Sequence, residues 1–78
     1  MNNSFTHYVE ETYLDKKKYG CRVRLRMVDD NKVYVKLLTV FDGEQSVLLN
    51  DEDYSELEKQ CVSNLQNLSG RNYYRDAN

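Results

Sequence analysis

Two alternating arms joined by a polar turn, from Cys21 to Phe41, constrain this chain more than any other feature. The first arm reads Cys21-Arg22-Val23-Arg24-Leu25-Arg26-Met27 and the second Lys32-Val33-Tyr34-Val35-Lys36-Leu37. A period of two sends successive side chains to opposite faces of a strand, so each arm is a strand with two unlike sides. Cys21, Val23, Leu25, Met27, Val33, Val35 and Leu37 form one side, and Arg22, Arg24, Arg26, Lys32, Tyr34 and Lys36 form the other. Asp29-Asp30-Asn31 between the arms is turn chemistry, because short polar side chains bond their own backbone and tolerate left-handed conformations. The pattern predicts a hairpin with an apolar underside and a basic top bearing one aromatic ring.

The flanking segments extend this hairpin. Thr6 to Leu14 is rich in β-branched and aromatic residues and reads as a first strand, with alternation too imperfect to say which face points inward. Asp15 to Gly20 reads as a basic loop closed by glycine, suited to solvent or to phosphate. Leu38 and Val40 share the parity of Tyr34 and Lys36, so the exposed face turns apolar there and calls for a cover by a loop, the helix or a second subunit. Asp42-Gly43-Glu44 is a turn, and Gln45 to Leu49 a short fourth strand. Asn50 is a preferred helix N-cap, followed by Asp51, Glu52 and Asp53 where the helix dipole favours negative charge. Tyr54, Leu57, Cys61, Leu65 and Leu68 then fall within an arc of about 80°, a narrow stripe fit for one contact. That contact is either the chain's own sheet or a second subunit, and Gly70 ends the helix.

The fold class implied is α+β, a four-stranded antiparallel sheet followed by one C-terminal amphipathic helix. It forms a single domain with an ordered core over about 6–69 and a polar, disordered tail over 70–78. Within that tail Arg71, Tyr73, Tyr74 and Arg75 repeat the basic-plus-aromatic theme.

Charge is segregated. The net charge is −2, yet between Lys16 and Lys36 eight Lys or Arg stand against two Asp, and between Asp42 and Glu58 there are seven acids and no base. A small domain so polarised holds a strong local positive potential whatever its total. Cys21, Cys61 and His7 fall short of a four-ligand zinc site, and both cysteines lie on predicted apolar faces as buried free thiols. No apolar run approaches the roughly 20 residues that span a bilayer, and Met1-Asn2-Asn3-Ser4 does not open a signal peptide. The expected setting is intracellular and reducing, without a cofactor or membrane partner. No nucleophile–base arrangement, glycine-rich phosphate loop or histidine cluster supports an enzyme, and His7 reads as an incidental surface residue.

A binding role fits better. Arg22, Arg24 and Arg26 project on one face about 6.6–7 Å apart, a spacing comparable to that of phosphates along a nucleic-acid strand. Lys16, Lys17 and Lys18 lead into that strand, and Tyr34 between Lys32 and Lys36 offers a ring for an unpaired base. Stacking needs exposed base faces, so single strands suit this surface better than duplex. The competing reading is a small interaction or inhibitor protein whose acidic segment, Asp42 to Glu58, docks onto a basic partner.

Arg22 to Leu37, together with Ser46-Val47-Leu48-Leu49-Asn50-Asp51-Glu52-Asp53-Tyr54-Ser55-Glu56-Leu57, resembles the transcriptional coactivator family of positive cofactor four and its small bacterial and viral relatives. The resemblance covers about Thr6 to Leu68. It implies a homodimer of curved antiparallel sheets held by its helices, binding single-stranded DNA across the sheets. The narrow stripe from Tyr54 to Leu68 suits such a dimer contact, the role expected is in transcription, replication or repair, and the small size suggests a viral or phage origin. The family's basic strand positions fall near Arg24, Arg26 and Lys32, and its basic entry segment near Lys16 to Lys18. The chain departs from the pattern at Asp29-Asp30-Asn31, where the family has a basic glycine turn. It departs again at Phe41, an aromatic on the inward parity, so Tyr34 takes the stacking place.

Overall fold

The computed structural model describes residues 4–76; Met1 to Asn3, which open the polar amino terminus, and Ala77 and Asn78, which close the expected tail, lie outside the described residues. β1 (Ser4–Leu14), β2 (Lys17–Asp29) and β3 (Lys32–Asp42) form an antiparallel meander. Asp15 and Lys16 join the first pair with φ of 51° and 69°, two left-handed residues whose twist suits a two-residue hairpin. The expected loop over 15–20 is thus a tight turn, and Lys17, Lys18 and Gly20 belong to the strand. At the next turn the Asn31 N–H donates to Asp29 Oδ1 at 2.8 Å, the self-bonding anticipated for this sequence.

β4 (Gln45–Val47) and β5 (Asn72–Arg75) share the far edge of β3. β4 runs antiparallel against residues 40–42 and β5 runs parallel against residues 32–35. Between them α1 (Asp51–Ser69) crosses the apolar face, capped by Asn50, whose side chain accepts the Asp53 N–H, and closed by Gly70 at φ 73°. The architecture is α+β, four antiparallel strands and one helix as expected, with a fifth strand added.

That fifth strand corrects the reading of 70–78 as a disordered tail. Tyr73 packs under the helix, where its hydroxyl oxygen accepts from Ser69 Oγ at 2.8 Å, and the Asp76 N–H donates to the Val35 carbonyl. Four alternating residues were too short a run to stand out from a polar terminus, but β3 presents an open edge that they close.

Cys21, Val23, Val33, Val35, Leu37, Val40, Leu57, Cys61 and Tyr73 form the core. Burying a Val or Leu side chain contributes about 1.5–3 kcal/mol, so this layer accounts for the docking of the helix. Leu57 and Cys61 are fully buried against the chain's own sheet, with Tyr54 and Leu65 packed beside them. That corrects their place in a dimer interface, since neither retains any surface for a second chain. Leu68 alone of the stripe stands free, 85 % exposed.

A bulge revises one further expectation. Val23 lies opposite Leu37 and Arg22 opposite Thr39, so Leu38 has no counterpart and the inward parity inverts beyond it. Val40 therefore joins the core, and Phe41 turns onto the basic face opposite Gly20. The apolar switch at Leu38 and Val40 is an internal register change. Val40 is covered by the chain's own core, and Leu38 remains exposed.

Candidate nucleic-acid interface

The sheet face away from α1 carries the arginine row of β2. By register Phe5, His7, Val9, Glu11 and Tyr13 of β1 flank it on one side, with Lys32, Tyr34, Lys36, Thr39 and Phe41 of β3 on the other. Tyr74 of β5 lies opposite Tyr34.

Cations and rings interleave here. The Arg26 guanidinium lies 4.7 Å from the Tyr34 ring centroid and that of Arg24 lies 5.1 Å from the Phe5 centroid, within the range of attraction between a cation and a ring face. Tyr34 and Tyr74 tilt against one another with centroids 5.9 Å apart. Phe5 and Tyr74 are about half exposed, at 52 % and 44 %. They offer open ring surface where Tyr34 is already partly covered.

Asp76 sits inside this cluster, almost wholly buried. Arg26 Nε donates to its Oδ2 at 3.1 Å, and Arg24 Nη2 lies 3.7 Å from the same oxygen. Arg24 Nε is buried and makes no hydrogen bond among the described residues. Two of the three arginines therefore spend part of their charge within the chain, while Arg22 is exposed with no ion pair among the described residues.

The three lysines of the entry segment disperse. Lys16 occupies the exposed turn. Lys17 points to the opposite face, 2.6 Å from Asp42 and over the Tyr19 ring, and Asp42 holds its ammonium above the ordinary lysine range. Lys18 remains on the basic face, 3.6 Å from Glu11. Lys32 is exposed and Lys36 half-buried. Of the residues singled out from sequence, Lys18, Arg22, Arg24, Arg26, Lys32, Tyr34 and Lys36 share one face, and Lys17 does not.

Sequence reasoning missed Phe5, Tyr74 and Asp76. The Tyr74 signal was present in the basic-aromatic terminus. Phe5 was hidden because β1 carries polar residues inward: Thr12 Oγ1 donates to Gln60 Oε1 at 2.7 Å and Asn64 Nδ2 donates to Glu10 Oε2 at 2.5 Å. Tyr8 donates to Glu10 at 2.9 Å, and burial, then that bond, pushes its phenol far up.

The acids of 42–58 do not form one patch. Asp42 is paired with Lys17, the side chain of Asn50 caps the Asp53 N–H, and Glu58 is buried under the sheet. Cys21 and Cys61 meet in the core as free thiols, where the contact with Cys21 and burial push Cys61 up. Among the described residues no group of His, Cys, Asp and Glu is placed to hold a metal ion, and no helix is long and apolar enough to cross a membrane. In comparisons with known proteins, the chain matches no family model, no curated protein and no solved structure.

Proposed function

We propose that the chain binds single-stranded nucleic acid, DNA by its resemblance to the positive cofactor four family, through the β-sheet face opposite α1, as a non-enzymatic homodimer in transcription, replication or repair. One observation carries the reading: a row of three arginines lies among half-exposed rings, Phe5 and Tyr74, on a face whose Arg22 and Lys32 have no acidic partner among the described residues. Phosphates engage the guanidinium and ammonium groups while bases stack on the rings, a combination indifferent to sequence.

The test is a salt titration of binding to a fluorescent single-stranded oligonucleotide beside its duplex. Arg22→Ala/Lys32→Ala is the informative variant, because neither side chain holds the fold together. The expected result is preference for the single strand, with the log–log salt slope reduced by about 0.7 for each phosphate contact removed. Tyr74→Ala weakens binding with little change in slope. Absence of binding to either oligonucleotide at low salt rejects the proposal.

A second reading has one observation of its own. Leu38, Val40, Val47, Leu49 and Tyr54 line an open groove of about 320 Å³, with Leu48 fully exposed at its rim beside the acidic start of α1. A protein partner presenting apolar side chains among basic ones fits that site, and charge reversal at Asp51 and Glu52 distinguishes it.

A further inference from the structure

β1 is an open edge. The strand pairs with β2 on one side and with no other strand among the described residues, so a row of backbone donors and acceptors lies free along eleven residues. Long edges of this kind are ordinarily shortened, bulged, charged or covered, since they template pairing with another chain. In its outward row β1 sets Phe5, Val9 and Tyr13, 52 %, 65 % and 57 % exposed, against a single charged side chain, Glu11, and no bulge or covering strand among the described residues shields it.

The sequence of the edge complements itself. Residues directly opposite in an antiparallel pair share a face, so a twofold axis must pass through a residue rather than between two. With the axis at Val9, Val9 meets Val9, Phe5 meets Tyr13 and His7 meets Glu11. On the other face Tyr8 meets Glu10 and Thr6 meets Thr12. All of Ser4–Leu14 overlaps, because Val9 is the midpoint of the strand. The neighbouring axes fail: at Glu10 or Glu11 two carboxylates face each other, and at Tyr8 the carboxylate of Glu11 opposes Phe5.

We infer that two copies of this chain pair antiparallel through their β1 strands about an axis at Val9, forming one continuous ten-stranded sheet. Strand pairing of this kind keeps both basic faces on the same side. The two arginine rows then run antiparallel, about 14 Å apart across three strand spacings, with Phe5 and Tyr13 of each copy in the strip between them. This assembly deepens the dimer element of the proposed function and replaces the helix stripe as its contact. It does not depend on nucleic-acid binding.

The experiment is sedimentation equilibrium of the full chain, with disulfide trapping to read the register. Val9→Cys places two thiols directly opposite and yields a covalent dimer under mild oxidation. His7→Cys places them about 13 Å apart and stays monomeric on a non-reducing gel, as does wild type, whose cysteines are buried. His7→Glu brings carboxylates together at two symmetric positions and weakens the dimer about 2- to 30-fold. His7→Glu/Glu11→Lys restores it with the charges exchanged. Both positions are exposed, so folding survives, and circular dichroism checks that. A wild-type monomer at high micromolar concentration overturns the proposal, as does trapping at position 7 equal to that at 9, or a double variant no tighter than the single one. Nucleic-acid binding enters none of these measurements, so a failed β1 interface and a failed binding face are told apart.

Discussion

Glu58 follows Leu57 on α1 and enters the core as a carboxylate. Beyond Val35, where β5 ends, the next rung on the open side of β3 falls at Leu37, and no strand reaches it before β4 begins at Val40. Glu58 Oε2 accepts the Leu37 N–H at 2.8 Å, and Oε1 accepts from Arg75 Nε, also at 2.8 Å. One side chain thus satisfies a backbone donor that the sheet leaves open and ties the helix to β3 and β5. Glu58→Ala leaves that donor and Arg75 without a partner, at a cost of about 1–3 kcal/mol. In a domain this small that lowers Tm by roughly 5–20 °C, whereas Glu56→Ala, two residues away and exposed, leaves Tm nearly unchanged. Thermal denaturation followed by circular dichroism checks both. In the sequence Glu58 was one acid among seven. Its burial depends on a gap between two strands that meet the same neighbour from distant parts of the chain, and no local pattern records such a gap.

At the scale of elements, β2, β3 and α1 were legible because each repeats its apolar period over at least three positions. β1 declared its strand character and concealed its facing, since Glu10 and Thr12 point inward to bond polar side chains of α1 beside Tyr8 and Leu14, while Phe5, Val9 and Tyr13 face out. β5 has four residues and takes its place from the vacant edge of β3. It also decides the state of the arginine row, because it delivers Tyr74 against Tyr34 and Asp76 between Arg24 and Arg26. Asp76 offers those guanidinium groups what a phosphate would offer. Asp76→Asn releases both charges toward a ligand, so single-strand affinity rises and the salt slope steepens by up to about 1.4 if two more phosphates are engaged. Stability falls meanwhile, as two guanidinium groups lose a buried partner. Reduced affinity in a variant that remains folded would instead make Asp76 the group that holds the row in position.

Over the whole molecule the charges separate in large part across the sheet: most of the bases lie on one face, with Lys17 and Arg75 on the other, and the exposed acids Asp51, Glu52 and Glu56 stand on the helix that covers that other face. At physiological ionic strength a charge is screened over about 8 Å, so acids across the sheet act weakly on a ligand bound to the basic face. Asp51→Asn/Glu52→Gln/Glu56→Gln is expected to change single-strand affinity less than twofold at 0.15 M salt, measured by the same oligonucleotide titration. A tenfold change would shift the functional surface to the helix end. The sequence by itself determined the hairpin, the helix with its caps, the apolar layer between them and the basic character of the opposite face. Each of these follows from periodicity or capping within a short stretch, where neighbouring residues are bound to be neighbours in space. Only the tertiary structure decided the bulge at Leu38 that turns Phe41 outward, the fifth strand, the burial of Glu58 and the pairing of Arg24 and Arg26 with Asp76. These depend on which edges and faces remain open once the meander has formed, and residues as distant in the chain as Arg26 and Asp76, 50 positions apart, meet there.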